Sequence, residues 1–171
     1  MSAIAIDLTS GPRANEALRE VWGQTLCELT AQGANTVLLD GDLANSTRAD
    51  IFAECFPDRF FEMGIAEQNM AGVAAGLATL GFTPWLSSFA AFLTSRDLDQ
   101  IRVVIAQPGL DVKICGGYSG ILTGKTGKTH QSVEDIATFR ALIEQYINPS
   151  VEALAALPDR KSTRLNSSHQ I

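Results

Sequence analysis

The chain has 171 residues, of which 46% are hydrophobic, and a formal net charge of −6. This length suits one domain around one core, and no apolar run reaches the roughly 18 residues of a membrane-spanning helix. An acidic chain without a basic stripe disfavours nucleic-acid binding. The N-terminus lacks a signal-peptide pattern, and the three scattered cysteines have no zinc-like or disulfide spacing, so we expect a cytoplasmic protein.

From the N-terminus onward, the hydrophobic pattern alternates between helix and strand. Helices are predicted over 13–32, 48–55, 66–80, 90–106 and 132–146, and strands over 35–42, 59–65, 82–89 and 111–117. Strands separated by helices predict an α/β fold with a doubly wound, mostly parallel sheet and helices on both faces. In such sheets ligands bind at the carboxyl ends of the strands.

The helix predicted over 66–80, with Gly81 as its C-cap, is almost free of bulky side chains because it is rich in alanine and glycine. Each glycine inside a helix costs roughly 1 kcal/mol, which close packing against another backbone offsets. That packing partner lies either within the domain or across a subunit interface, and the pattern leaves both alternatives open.

The C-terminal segment 159–171 is polar and has no hydrophobic pattern. Its sequence "DRKSTRLNSSH" resembles a translated sequencing adapter; the alternative is a natural polar tail. We therefore expect one domain over 1–158, incomplete at its C-terminal side, and a non-native tail over 159–171.

Residues 120–131, "GILTGKTGKTHQ", contain two Gly-Lys-Thr triplets, which suggests a phosphate-binding P-loop. A P-loop requires a glycine five residues before the Gly-Lys-Thr glycine. The corresponding positions are Ser119 and Leu122. The spacing excludes a P-loop in both registers, so this stretch needs another explanation.

Four blocks in order supply that explanation: "DGDL", "GIAEQNM", "SSFAAFLTSRDLDQIR" and "GKTGKTHQSVEDIATFR". Together they resemble the transketolase-type thiamine-diphosphate enzymes, in the domain that holds the cofactor's aminopyrimidine ring. The resemblance covers roughly residues 10–142 and implies that thiamine diphosphate is the cofactor.

The resemblance implies that Glu67 is the catalytic acid that hydrogen-bonds the ring nitrogen N1′ and so helps the cofactor lose the proton on its C2 carbon. This role requires a buried side chain, because burial favours the protonated form of a carboxyl group. From its position alone, Glu67 is also a helix-start carboxylate favoured by the helix dipole.

Phe89 and Phe92 are three residues apart, which places them on one face if the segment is helical. In the family, aromatic residues here surround the pyrimidine ring, so both are predicted to bind the cofactor. The alternative is that they are ordinary core residues. Ser95 stands where some relatives carry a third aromatic residue.

Asp42 closes "LDGDL", and the matching aspartate in the family lies near the cofactor; otherwise Asp42 is a turn residue. The family's magnesium motif, Gly-Asp-Gly followed by a downstream asparagine, is missing here. We therefore expect no metal site on this chain, and we expect Mg²⁺ and the diphosphate to be held by a partner, an N-terminal subunit.

His130 matches a family histidine that contacts sugar hydroxyls, so the resemblance gives it a catalytic and substrate-binding role; a structural loop histidine is the alternative. The signature differs from the family at Lys125 and Thr126, which replace an acidic pair, and at Tyr118, which is often histidine. The two added lysines in this stretch leave open a preference for an anionic acceptor; the alternative is that they are simply exposed.

Arg19 and Ser46 fit family positions that contact the substrate phosphate. Their alternatives are a solvated helix charge for Arg19 and a helix cap for Ser46.

As a whole, the resemblance implies the C-terminal subunit, or a fragment of it, of a split transketolase-like transferase that moves a two-carbon ketol unit between sugar phosphates. We expect a dimer of heterodimers. The start at Met1 and the short leader favour a separate subunit. Two alternatives stay open: the pyrimidine-binding part of a 1-deoxyxylulose-5-phosphate synthase, and a non-catalytic subunit that stabilises a partner.

Overall fold

A computed structural model describes residues 17–143 and Tyr146. In this part of the chain, four parallel strands form one sheet in the order β2-β1-β3-β4. The strands are β1 (Thr36–Asp40), β2 (Phe60–Glu62), β3 (Thr83–Phe89) and β4 (Lys113–Gly117). The helices are α1 (Leu18–Ala31), α2 (Ala44–Thr47), α3 (Asp50–Cys55), α4 (Glu67–Thr79), α5 (Ala90–Ser95), α6 (Leu98–Gln100) and α7 (Asp135–Leu142).

Successive side chains of β1 enter two hydrophobic clusters, one on each face of the sheet. Leu38 packs with Leu26 of α1 and Phe52 of α3. On the opposite face, Leu39 packs with Met70 of α4. All five residues of β1 are buried, as expected for a central strand covered on both sides. The predicted α/β fold, with a parallel sheet and helices on both faces, is confirmed.

The helix predicted over 90–106 is not continuous. α5 is followed by the three-residue helix α6 and then by a π-helical turn, Ile101–Ala106. At the first break, the carbonyl of Phe92 accepts the backbone N–H of both Arg96 (2.9 Å) and Asp97 (3.2 Å). The regular hydrogen-bond ladder ends there, and the Asp97 side chain turns into the interior.

The other boundaries differ by a few residues. The predicted helix over 48–55 begins at Asp50, and α2, which was not predicted, precedes it. Arg48 separates the two with a φ of 67°, which no right-handed helix contains. The strand predicted over 59–65 extends only from Phe60 to Glu62.

The small residues of α4 divide into two groups. Ala71 and Ala74 are fully buried in the core. A Cβ atom added to Gly72 or Gly76 would meet no atom within 4 Å among the described residues. Packing within the described domain therefore explains the alanines but not these two glycines, and the subunit-interface alternative stays a prediction. Gly81, at φ 87°, lies just after the C-cap residue of α4.

Some predictions fall outside the described residues. They concern the start of the first helix, the end of the last, the domain boundary at 158 and the tail over 159–171. Within residues 17–143, no helix combines the length and apolar character needed to cross a membrane.

Candidate active site

The predicted acid, Glu67, is the first residue of α4, and its side chain is completely buried. It is not isolated. One guanidinium nitrogen of Arg96, Nη1, lies 2.9 Å and 2.7 Å from the two carboxylate oxygens of Glu67. A buried carboxylate is costly without such a partner. The partner was not predicted, because its 29-residue separation from Glu67 gives no local signal.

Arg96 links this acid to the aromatic residues. Its guanidinium carbon lies 4.9 Å from the ring centroid of Phe92, which is a cation–π distance. The Gln68 amide donates to the Arg96 backbone carbonyl at 2.9 Å, so the first turn of α4 holds both the side chain and the backbone of Arg96. The Arg96 side chain is nevertheless 47% exposed.

Phe89 and Phe92 form a stacked pair where β3 leads into α5. Their ring centroids are 5.8 Å apart with an interplanar angle of 19°. His130 approaches both rings edge-on, at 5.9 Å and 5.2 Å. The structure therefore brings His130 to the aromatic pair, although a different motif predicted it, and the roles of all three residues toward a cofactor stay predictions.

The loop between β4 and α7 presents His130. Backbone hydrogen bonds between Gly120 and Ser132, at 2.7 Å and 3.1 Å, close its base. Within the loop, Gly127–His130 forms a 3₁₀ helix. The Thr129 hydroxyl lies 2.9 Å from Nδ1 of His130 and so orients the imidazole. The stretch that resembled a P-loop thus forms a closed loop that carries a histidine to the aromatic pair.

Arg19 and Ser46 contact each other next to Tyr118. Arg19 donates to the Tyr118 hydroxyl (2.6 Å) and to the Ser46 carbonyl (3.2 Å), so it is not simply a solvated charge. Ser46 lies inside α2 and is not its cap, so the helix-cap alternative is wrong. The Tyr118 ring packs against Phe89 with centroids 4.4 Å apart. A cavity of about 510 Å³ adjoins Arg19 and Tyr118.

Asp42 is set apart from this group. It is exposed and has a φ of 65°, a conformation found in turns, and its backbone N–H donates to Glu62 Oε1 at 2.9 Å. In the described part of the chain, no hydrogen bond, ion pair or ring contact of its side chain reaches the aromatic pair. Its neighbour Asp40 is fully buried, and this burial raises the pKa of the Asp40 carboxyl. The cofactor role of Asp42 stays a prediction.

These contacts form one continuous series, which we call the site cluster. In order, it comprises Glu67, Arg96, Phe92, His130, Phe89, Tyr118, Arg19 and Ser46. Phe89 is the last residue of β3, and the other members lie in segments that follow a strand, except Arg19, which α1 supplies. Within residues 17–143, no group of three His, Cys, Asp or Glu side chains is placed to hold a metal.

The site cluster combines a buried acid, flat aromatic walls and a cation. That combination suits a ligand with a planar, nitrogen-containing ring and a polar or anionic end. The fold and the cluster thus define an α/β domain with a buried acid and a stacked aromatic pair at the carboxyl edge of its sheet.

The chain belongs to the family described as the transketolase pyrimidine-binding domain, which matches residues 15–155. It is 47% identical over 127 residues to a putative transketolase C-terminal section from Methanocaldococcus jannaschii, covering 74% of this chain and 40% of that protein. It is 42% identical over 127 residues to the human transketolase, covering 74% of this chain and 20% of that protein.

A solved structure described as a split-gene transketolase, inactive β4 tetramer, is also similar. It superimposes with a TM-score of 0.62 at 45% identity, covering 76% of this chain and 40% of that chain. This chain therefore spans well under half the length of the relatives that it matches.

Proposed function

We propose that this chain supplies the pyrimidine-binding part of a two-chain, transketolase-like transferase. The reaction transfers a two-carbon ketol unit between a ketose and an aldose phosphate with thiamine diphosphate as cofactor. One observation carries the proposal: Glu67 is completely buried and is joined, through Arg96, to the stacked pair of Phe89 and Phe92.

The contacts of Arg96 support the fit of an aminopyrimidine ring. Its guanidinium is flat, lies against the ring of Phe92 and donates N–H groups to Glu67. A planar ring with exocyclic and ring nitrogens makes the same two kinds of contact, one to an aromatic face and one to a carboxyl group. Because Arg96 is half exposed, it has room to leave when such a ring enters.

In this proposal each residue of the chain has a stated task. Glu67 holds a proton at the ring nitrogen N1′, while Phe89 and Phe92 pack against the ring and exclude water from it. When bound, thiamine diphosphate supplies a nucleophilic carbon at C2. His130 donates to and accepts from sugar hydroxyls, as an imidazole with one hydrogen on two nitrogens can.

Arg19 and Ser46 bind the anionic end of the sugar. The cavity beside Arg19 supports this assignment, since Arg19 contributes to its lining. The exposed Asp42 acts near the part of the cofactor that leads toward the diphosphate.

A second chain completes the proposed enzyme. The sequence lacks the family's magnesium motif, so the N-terminal partner holds Mg²⁺ and the diphosphate. The names of the relatives support a divided enzyme, since one is a C-terminal section and another is a split-gene protein described as an inactive β4 tetramer. We further propose a dimer of heterodimers in the cytoplasm.

The Glu67→Gln change tests the proposal in the enzyme assembled with its N-terminal subunit. Glutamine keeps the size of the side chain but cannot supply the acid proton. Exchange of the C2 hydrogen of bound thiamine diphosphate for deuterium should slow by roughly 10²–10⁴-fold. Excess cofactor should not restore the rate, because the defect lies in the proton transfer.

Glu54→Gln is the matched control, since Glu54 is an exposed glutamate of α3, and it should exchange at the wild-type rate. Exchange at the wild-type rate in Glu67→Gln would contradict the proposal and favour the non-catalytic, partner-stabilising alternative.

A further inference from the structure

Two of the three cysteines lie on helices that pack against each other, although their spacing in the sequence gives no sign of it. Cys27 lies on α1, and Cys55 is the last residue of α3. The Cys27 thiol donates to the backbone carbonyl of Ile51 at 3.6 Å. Ile51 lies one turn before Cys55 on α3, and helix carbonyls point toward the C-terminal end. The Cys27 sulfur is therefore directed to the turn of α3 that ends in Cys55.

The packing of α1 against α3 also sets the register of the two helices. Glu20 of α1 pairs with Arg48, just before α3, at 3.2 Å, and these residues are 28 positions apart. Gly23 of α1 faces Ile51 of α3 at the same separation. A constant separation means that the two helices run in the same direction. One turn beyond Gly23 and Ile51, the next pair at this separation consists of the two cysteines.

The two backbones approach closely at this point. A Cβ atom built on Gly23 would lie 3.2 Å from the Cβ atom of Ile51. The Cβ atoms joined through a disulfide are about 3.5–4.5 Å apart. The glycine thus brings the helices to the spacing of a disulfide one turn before the cysteines.

We propose that Cys27 and Cys55 form a dithiol site that a small-molecule disulfide, such as oxidised glutathione, converts into an intramolecular disulfide. The inference rests on the packing of α1 against α3 and is independent of the proposed function. The bond holds α1, the helix that supplies Arg19, against α3.

The reaction begins at Cys55, because its side chain is exposed whereas that of Cys27 is half-buried. Burial is the main cause that raises the pKa of the Cys27 thiol to about 12, and the hydrogen bond with Cys55 adds to it. The Cys55 thiolate attacks one sulfur of oxidised glutathione, and one glutathione leaves as a thiolate that takes up a proton. Cys27 then loses its proton and attacks the Cys55 sulfur, which releases the second glutathione. Two protein thiols are oxidised, and one glutathione disulfide is reduced to two thiols.

The first test is oxidation of the folded, full chain with oxidised glutathione, followed by mass spectrometry of its peptides. We expect one disulfide between the peptides of Cys27 and Cys55, while Cys115 stays a thiol. In urea above the unfolding midpoint, the same treatment should give a mixture of pairings, because the fold no longer selects the partner. A folded chain that carries glutathione on Cys55 without the internal bond overturns the proposal.

The matched variant moves one thiol by one position. In Cys55→Ser/Glu54→Cys the number of thiols is unchanged, but the new thiol lies about 100° around α3 from the old one. Glu54 is exposed, so this change does not touch the core. The variant should gain glutathione without forming an internal bond. A bond from Cys27 to position 54 at a comparable rate would show that the register of the helices does not select the pair, which overturns the proposal.

The second test measures what the bond does to the chain. The midpoint of urea unfolding should rise by roughly 1 M on oxidation, since the bond restricts the unfolded chain. It should return to its first value when dithiothreitol reduces the bond. Cys55→Ser should have the same midpoint with and without oxidised glutathione. An oxidised wild type whose midpoint is unchanged or lower would show that the native packing does not accommodate the bond, and the proposal would be overturned.

Discussion

Tyr118 and Arg19 are 99 residues apart in the sequence, and the Arg19 guanidinium donates to the Tyr118 hydroxyl at 2.6 Å. The same tyrosine ring packs against Phe89. Tyr118 also has a φ of 56°, a conformation that is unfavourable for an aromatic residue. The fold thus holds Tyr118 between the aromatic pair and the cation that we assign to the substrate phosphate.

The Tyr118→Phe change isolates the hydroxyl in this arrangement. The ring keeps its packing, while Arg19 loses one of its two acceptors and is less firmly oriented. We expect KM for the sugar phosphate to rise about fivefold, equivalent to roughly 1 kcal/mol for one hydrogen bond, and kcat to stay unchanged. Steady-state kinetics of the assembled enzyme measure both, and a fall in kcat at constant KM would contradict the assignment of Arg19 to substrate binding.

The helices and strands that the sequence predicted correctly are those whose pattern lies within one short stretch of residues. β1 comes from an apolar run with a turn after it, and α4 from a run of helix-forming small residues. The break at Asp97 could not be found in this way, because neither the change in backbone hydrogen bonding nor the burial of the Asp97 side chain leaves a local pattern in the sequence. Asp97 itself sits in a stretch whose hydrophobic spacing suits a continuous helix.

The site shows the same division between local and long-range signal. Motifs identified Glu67 and His130 singly, and the structure adds what links them: the contacts of Arg96 with Glu67 and with Phe92. A salt bridge between two residues that are 29 positions apart leaves no recognisable pattern in a single sequence. Asp42 was also indicated by a motif; the structure places it in an exposed turn, and its cofactor role stays a prediction.

The open face of α4 gives a prediction about assembly. Gly72→Ala and Gly76→Ala meet no atom in the described residues, and alanine is the better helix former, so each change should stabilise the isolated chain by roughly 1 kcal/mol. Urea unfolding measures this effect. If a second helix packs closely here in the assembled enzyme, the same changes should weaken assembly, seen by sedimentation.

Gly23→Ala is the matched contrast, since its Cβ would lie 2.7 Å from the Arg48 carbonyl oxygen. That change should destabilise the isolated chain. If Gly72→Ala and Gly76→Ala destabilised the isolated chain as much as Gly23→Ala does, the face of α4 that carries these glycines would be covered in the isolated chain.

Cofactor binding should require two chains. The site cluster offers contacts to the ring of thiamine diphosphate, while the diphosphate with Mg²⁺ needs ligands that this sequence lacks. We expect no measurable heat of thiamine diphosphate binding to the chain alone at micromolar concentrations. Addition of the N-terminal subunit with Mg²⁺ should bring binding into that range. Micromolar binding to the isolated chain would show that it holds the diphosphate by itself.

Asp97 should make the chain less stable as the pH rises through neutrality. A carboxyl group with a higher pKa in the folded state takes up a proton on folding. Its contribution to stability is complete below the unfolded value of 3.8 and is lost as the pH rises toward and through about 8. The loss between pH 6 and pH 8 is on the order of 2 kcal/mol in the free energy of unfolding.

Asp97→Asn, which resembles the protonated form, should remove most of this slope and be more stable than the wild type at pH 8. Burial also raises the pKa of Asp40, so this carboxyl contributes a slope of the same sign over the pH range in which it titrates. Asp99→Asn, at the exposed end of a surface ion pair with Arg102, should leave the slope as it is. Urea unfolding of the wild type, Asp97→Asn and Asp99→Asn at pH 6, 7 and 8 gives the slope of the unfolding free energy against pH for each protein. An unchanged slope in Asp97→Asn would mean that Asp97 is already ionised in the folded chain at neutral pH.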